Sequence, residues 1–434
     1  MEWIEITADW DAERLRKVTA RSETEQNDVD ATVAAILADV KANGDAAVLA
    51  YNKKFDGCNC KDLRISEAEI EEALQEVGPE MVAILQEAAD NIRVYHEEQI
   101  MKSWIKEFRP GVRLGTHITP IRRVGLYVPG GRAAYPSTVL MDAVPAKVAG
   151  VPSLVMISPP NKDGRINPYI LAAAHVAGVD EMYRVGGAQG IAALAYGTET
   201  IRPVYKIVGP GNMYVATAKK QVFGTVGIDM IAGPSEVGVI ADSSANPTWV
   251  AADLLAQAEH DPMAAVYLAT PDKALAEQVV AEVERQMTGA PREEIMRSSV
   301  ERWMRVFVTP DIETAVAVMN GIAPEHLELA LDNPEIWLPK VENAGAIFMG
   351  HYTPEPVGDY FAGPNHTLPT SGTAAFSSPL GVYDYSKRSS ILSYDKQALT
   401  AIAHKVEALA KAEGLYGHAA SVAVRHSEEV TNEN

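Results

Sequence analysis

The sequence predicts an α/β protein built from two parallel-sheet domains, with a helical arm before them and a helical tail after them. Three observations carry this. Short apolar runs alternate with helix-length segments between about 120 and 240, and a second alternation runs from about 235 to 350. Both flanks place apolar residues at intervals of three and four, the helical period. Parallel βαβ units covered on both faces require this alternation, because a strand buried on both sides reads as a continuous apolar run.

Residues 1–22 are read as an arm or short helix. From Val29 to Glu98 the pattern is helical, with Gly44 as a candidate helix end. "SLVMISPP", "EMYRVGG" and "VYKIVGPGN" are strands, separated and followed by the helices "NPYILAAAHVAGV", "AQGIAALAYGTE" and "MYVATAKKQVFG". "SEVGVIAD", "AAVYLAT", "RVFVTP" and "GAIFMG" are the strands of the second alternation, with helices at about 247–261, 272–288 and 311–320. A Gly/Pro-rich segment, 354–381, precedes the helical tail. The boundaries that result are an arm at 1–22, a first α/β domain from 23–126 plus 235–380, a second at 127–234, and a tail at 381–434.

With 434 residues the chain is long enough for several cores. Its net charge of −20 and lack of a large Lys/Arg cluster argue against a nucleic-acid surface. The first residues lack the apolar core of a signal peptide, and no run approaches the length of a spanning helix, so a cytoplasmic protein is expected. The two cysteines, Cys58 and Cys60, could join a metal site or a disulfide, but their Gly/Asn/Lys surroundings are read as a solvent-exposed turn.

Three groups of residues could carry chemistry. Glycine turns follow strands at "LYVPGGR", "VGGAQG" and Gly209-Pro210-Gly211-Asn212, where helix N-termini can receive an anion. The G-x-G-x-x-G fingerprint fails at Tyr214, so a standard dinucleotide mode is not supported; both α/β domains are expected to be Rossmann-like but incomplete. Gln257 and His260 lie three apart near the end of a helix that starts at Asn246-Pro247; Asp359 and His366 lie in a stiff polar loop; Glu413 and His418 flank a break at Gly414. Two histidines, an aspartate and an amide oxygen suit zinc or a neighbouring divalent ion, although each also has an ordinary structural reading and spacing alone does not make them converge. Finally, "GIAPEHLELA" sets Glu325 beside His326 after Pro324, which favours a first helical turn; the two are either ordinary residues of that turn or a general acid/base pair. His96, His117, His175, His351, His404 and His426 are read as structural.

Taken together, "VGLYVPGG", "VGGAQGIAALAYGTE", "GPGNMYVATAK", "AGPSEV", "LLAQAEHD", "APEHL", "GDYFAGPNHTLPTSGTAAFSSPL" and "AEGLYGHA" resemble the histidinol dehydrogenase family, in the family's order and over essentially the whole chain. The resemblance implies a four-electron oxidation of histidinol to histidine through a held aldehyde, with two NAD+ and zinc. It implies zinc at Gln257, His260, Asp359 and His418, an acid/base pair at Glu325 and His326, and further substrate contacts at Ser235, His366 and Glu413. Tyr127, Gln189 and Asn212 fall where the family touches NAD, which makes 127–234 the NAD side and 23–126 plus 235–380 the zinc and substrate side. It also implies an intertwined homodimer whose tail crosses over, so that the partner subunit supplies His418. Two departures stand out: Ala323 replaces a usual glycine, and Asp261 follows His260 where glycine is common.

The residues fit that chemistry. Both thiols lie far from every motif, so water rather than a cysteine must attack the aldehyde; Glu325 is the natural activator and His326 the base that takes the alcohol proton. A helix N-terminus at Pro324 would favour an ionised Glu325 and a neutral His326. The alternatives are oxidation of another small polar alcohol, a zinc hydrolase using Glu325, and a non-catalytic metal-binding scaffold.

Overall fold

A computed structural model describes residues 1–7, 12–19, 26–130 and 135–426. Gly131 and Arg132 of the "VPGGR" turn, and part of the 1–22 arm, lie outside the described residues. The chain opens with β1 (Glu2–Glu5), α1 (Ala12–Thr19), α2 (Gln26–Tyr51), α3 (Glu67–Val77) and α4 (Pro79–Glu97). Gly44 breaks α2 without ending it: its φ of 51° and ψ of −133° interrupt the helix, and Asp45 N–H is held by Glu199 Oε2 at 2.8 Å. Next come β2 (Trp104–Arg109), β3 (Val112–Pro120), β4 (Val124–Tyr127), α5 (Pro136–Val148), β5 (Leu154–Ser158), α6 (Pro168–Val176), β6 (Glu181–Arg184), α7 (Gly187–Tyr196), β7 (Lys206–Val208), α8 (Met213–Val222) and β8 (Gly227–Ile228). The second alternation is β9 (Glu236–Ala241), α9 (Pro247–Ala258), β10 (Ala265–Thr270), α10 (Lys273–Met287), α11 (Glu293–Trp303), β11 (Met304–Val308), α12 (Ile312–Ile322), β12 (His326–Ala330) and β13 (Ala346–Met349). The short α13 (Glu355–Val357), β14 (Ser386–Tyr394), α14 (Lys396–Ala412) and α15 (Tyr416–His426) complete the chain.

Two compact units result, one from residues 1–99 and 121–385, the other from 100–120 and 386–434. The first holds two parallel sheets, ordered β6-β5-β4-β7-β8 and β1-β11-β10-β9-β12-β13. Counted from β4, the smaller sheet runs third, second, first, fourth, fifth; counted from β9, the larger repeats that order and adds β1 at its edge. This is the doubly wound order 3-2-1-4-5-6 without its sixth strand, in which the crevice opens where the order reverses. The apolar runs explain the strands: β5, β9, β10 and β12 are buried along their whole length between helical layers. Where the sequence suggested only an arm, β1 pairs with β11.

Two expectations fail. Glu325 and His326 do not begin a helix. α12 ends at Ile322, Ala323 caps it in the left-handed region at φ 53°, and His326 starts β12, between β9 and β13. Pro324 therefore marks an exit from a helix, in keeping with its lack of an N–H donor. "HLELA" fits a buried strand and a helical turn equally on periodicity, and pairing on both edges decides for the strand. The cysteines are not a solvent-exposed turn either: Cys58 is buried and bonded to Cys60, after a π-turn that Gly57 closes at φ 68°.

The second unit is an antiparallel sheet, β14-β3-β2, with the hairpin of α14 and α15. The C-terminal segment is thus a strand before it is helical, and Gly414, at φ 75°, follows the end of α14. Buried apolar side chains here are few, Val112, Ala403, Ala410 and Ala419, while Trp104, Phe108, Leu392, Leu409, Tyr416 and Val424 are exposed. Among the described residues no helix is long and apolar enough to cross a membrane.

Candidate active site

The amino-terminal ends of adjacent strands β9 and β12 bring Glu236, Glu325 and His326 together. The backbone of one residue, Glu236, holds both candidate catalytic side chains. Glu236 N–H donates to Glu325 Oε2 at 3.0 Å, and the Glu236 carbonyl lies 3.1 Å from His326 Nδ1. A carbonyl only accepts, so Nδ1 carries a proton and the lone pair of the neutral imidazole is on Nε2. That Nε2 is buried, has no hydrogen-bond partner among the described residues, and stands 3.7 Å from Asp359 Oδ1.

Around it is a donor cluster. One ligand-type atom from each of His260, Glu355 and Asp359 lies within 4.8 Å of the others. Asn246 caps α9 through Thr248 N–H at 2.9 Å, and the helix delivers Gln257, fully buried, in its last turn. The Gln257 amide reaches the two Glu355 oxygens at 3.0 and 3.2 Å, and without a cation it must present its NH2 there, since carboxylates accept only. It also lies 3.2 Å from His326 Nδ1, whose proton goes to the Glu236 carbonyl, so that approach is a contact of two donors. A mixed nitrogen and oxygen set with a rotatable amide suits an ion of the zinc type, whose bonds are about 2.0–2.2 Å. Glu355 itself is fixed from behind, its N–H donating to Glu328 Oε1 at 2.9 Å. α13 and the π-turn that follows set Glu355 and Asp359 four residues apart.

The electrostatics point the same way. Burial pushes Glu325 up to about 7 and Glu355 up to about 8. Desolvation opposes charge on His326, but Glu355 and Glu325, each 3.9 Å away, together with Asp359, raise it well above its ordinary value. Desolvation would likewise raise Asp359, yet His326 and His366 hold its carboxylate below the usual range. Three carboxylates thus crowd a mostly buried space with excess negative charge, which a divalent cation would offset. The helix-dipole account of a neutral His326 is replaced: there is no helix start, and carboxylates dominate the imidazole's surroundings.

His366 joins the cluster, with Nδ1 3.0 Å from the Asp359 carbonyl and Nε2 3.3 Å from Thr138 Oγ1 of α5. Ser235 is half-buried just before β9 and gives its carbonyl to Ala265 N–H at 3.0 Å. Tyr127, Gln189 and Asn212 lie elsewhere in this unit, at the carboxyl ends of β4, β6 and β7 or the helix starts that follow. Tyr127 and the 209–212 turn flank the switch point between β4 and β7. Tyr127 OH accepts Gly187 N–H at 3.3 Å, and the Oε1 of buried Gln189 has no hydrogen-bond partner among the described residues. Asn212 caps α8, its Oδ1 accepting from Tyr214 and Val215 N–H at 3.0 and 3.2 Å.

Glu413 and His418 belong to the second unit, at the C-cap of α14 and on α15, both exposed. Asp261 turns its carboxylate onto Met263 N–H at 2.8 Å, closing a local turn. Sequence reasoning missed Glu355, Glu328, Thr138 and the Glu236 backbone. Only Glu355 carried a signal, an acid flanked by prolines four residues before Asp359.

The sequence profile described as histidinol dehydrogenase matches residues 19–426. The chain is 55% identical over 399 residues to the histidinol dehydrogenase of Heliobacterium mobile, covering 92% of this chain and 93% of that one. It is 50% identical over 429 residues to that of Geobacter sulfurreducens, covering 98% and 100%. The crystal structure of histidinol dehydrogenase from Elizabethkingia anophelis superposes with a TM-score of 0.93 at 39% identity, covering 98% of each chain.

Proposed function

Because the chain belongs to the histidinol dehydrogenase family, oxidoreductases of histidine biosynthesis, we propose that it oxidises L-histidinol to L-histidine through L-histidinal, with two hydride transfers to NAD+. The observation that carries this reading is the buried, unpartnered His326 Nε2 facing a donor cluster, while Nδ1 is tied to the Glu236 carbonyl. Glu355, Glu325 and Asp359 favour a protonated imidazole; once a cation offsets their charge, His326 would be neutral. A lone pair held this way could then take the alcohol proton as hydride leaves carbon, and later the proton of the hydrated aldehyde. Glu325, anchored by the N–H of the same residue and raised to about 7 by burial, is matched to accept a proton from water near neutral pH.

Gln257, His260, Asp359 and the partner subunit's His418 would hold zinc, with Glu355 against them. Bound there, the metal would supply a Lewis-acidic anchor for the amine and imidazole nitrogens of the substrate. Ser235, His366 and Glu413 would complete the substrate's surroundings. Tyr127, Gln189 and Asn212 would receive NAD+, the hydride acceptor, at the β4/β7 switch point. The exposed apolar side chains of the second unit support a homodimer, since a second copy would cover them.

The decisive experiment is histidinol-dependent NADH formation with and without a chelator. Two NADH per histidine, lost on chelation and restored by zinc, are expected. No NADH would overturn the dehydrogenase reading, and chelator-insensitive turnover would overturn the zinc.

A further inference from the structure

Asp142 is a fully buried carboxyl in the middle of the apolar helix α5, far from any role the reaction gives it. Its Oδ1 accepts from Thr367 Oγ1 at 3.1 Å, and its Oδ2 has no hydrogen-bond partner among the described residues. Oδ2 points at Gly209, where an added Cβ would lie 2.9 Å from it and 2.2 Å from the Tyr127 carbonyl oxygen. Gly209, at φ 111°, is therefore required both by its backbone angle and by the closeness of this approach.

The two carboxyl oxygens of Asp142 face one side each of the proposed reaction, while its main-chain carbonyl accepts from Tyr385 OH at 2.7 Å. On the substrate side, Thr367 follows His366, Asn365 Nδ2 donates to the Met141 carbonyl at 2.6 Å, and Thr138 touches His366. One face of α5 thus backs the whole 365–367 segment. On the nucleotide side, Gly209 opens the turn that ends in Asn212. Its N–H donates to Asp229 Oδ2 at 2.8 Å and its carbonyl accepts from Lys219 Nζ at 2.7 Å, while Lys219 and Asp229 pair at 2.5 Å in the interior. A buried, fixed network of this kind has few alternative arrangements, so it transmits position with little slack.

We propose that Asp142 is a positioning residue that joins the His366 loop to the Gly209–Asn212 turn, holding substrate carbon and nucleotide in register for both hydride transfers. The proposal rests on reading His366 as a substrate contact and the turn as a nucleotide contact. Register matters because a hydride moves only between atoms already near contact, and small displacements at this distance cost rate steeply.

The test is steady-state histidinol oxidation by the intact enzyme, with Asp142→Ala, Asp142→Asn and Thr367→Val. Asp142→Ala should lower kcat per folded enzyme and raise both KM values, that for histidinol by roughly tenfold, the scale of a lost buried hydrogen bond, and that for NAD+ through the lost packing of Oδ2 against Gly209. Thr367→Val, which removes only the loop-side bond, should raise the histidinol KM and leave that for NAD+ unchanged. Asp142→Asn keeps an acceptor for Thr367 and should restore the histidinol KM. A merely structural residue would lower Vmax with the folded fraction and leave both KM values alone; that result, or movement of only one KM in Asp142→Ala, overturns the proposal. Should Asp142→Ala fail to fold, Thr367→Val decides, an unchanged histidinol KM counting against it. Absence of NADH from the unsubstituted enzyme would instead refute the functional reading beneath it.

Discussion

His326 turns its Nδ1 to the carbonyl of Glu236 at 3.1 Å, and that bond decides which imidazole nitrogen is free to take a proton. Asparagine at 326 can keep this bond through its amide NH2 while offering no base. His326→Asn should therefore fold normally yet lose about 10²–10⁴-fold in kcat on histidinol and on supplied histidinal alike. Glu325→Gln should hurt histidinal oxidation more than the first hydride step, because only the second oxidation consumes water. Single-turnover rates for the two substrates separate these, and equal losses in both steps for both variants would contradict the division of labour.

Glu355 is held at the donor cluster by Gln257 on one side and Glu328 on the other. Replacing it with glutamine removes one negative charge from the space the metal would occupy. Glu355→Gln should weaken zinc binding by about 10–100-fold, the usual effect of a supporting partner. Competition against a chromophoric chelator measures this directly, and an unchanged affinity would reduce Glu355 to a packing role.

The parts of this fold legible in the sequence are those with unambiguous local physics. β5, β9 and β10 are continuous apolar runs, and α9 announces itself through Asn246 and Pro247. β12 was misread because five residues with apolar side chains at 327, 329 and 330 satisfy both periods, and only its pairing with β9 and β13 decides. β2 left no trace, since every residue in it is exposed and nothing alternates. The site divides similarly. Motifs named Glu325, His326, Gln257, His260 and Asp359, but the Glu236 backbone that orients two of them uses groups every residue has, so no side chain betrays it.

Ala323 occupies φ 53°, ψ 60°, where the left-handed conformation costs a residue with a Cβ about 1–2 kcal/mol. Its N–H closes the end of α12 on the Met319 carbonyl at 2.8 Å, so the conformation is fixed by the cap. Ala323→Gly should relieve this strain, partly offset by the greater freedom of glycine in the unfolded chain, for a net gain of about 0.5–1 kcal/mol. A thermal midpoint that rises slightly with unchanged activity is the expected outcome. A fall would mean that the alanine methyl contributes packing worth more than the strain.

Glu181 provides a pH-dependent contribution to stability away from the site. Arg123 Nη1 and Nη2 bond its two oxygens at 2.8 Å and pull its pKa from 4.5 to about 2. The folded value is below the unfolded one, so the unfolded chain takes up the proton first as pH falls. The stabilisation is complete above about pH 4.5 and drains away as pH approaches 2. Discounting for exposure of the outer partner Arg202 leaves about 1–2 kcal/mol. Urea midpoints of the parent and Glu181→Gln should differ at pH 7 and draw together as pH falls from about 4.5 toward 2; a gap independent of pH would rule out the linkage.

His418 and Glu325 together test whether the site is shared between copies. His418 lies on exposed α15 in the unit with few buried apolar side chains among the described residues, whereas Glu325 immediately precedes β12 in the other unit. Under the proposed reading, a homodimer of Glu325→Gln lacks its water activator in both sites, and one of His418→Ala lacks a ligand in both. After subunit exchange, each mixed dimer carries one doubly damaged site and one intact site, because the wild-type His418 of one chain then meets the wild-type Glu325 of the other. Half the dimers are mixed and half their sites work, so the mixture should recover about a quarter of the parent activity. A site built within one chain gives no recovery at any mixing ratio.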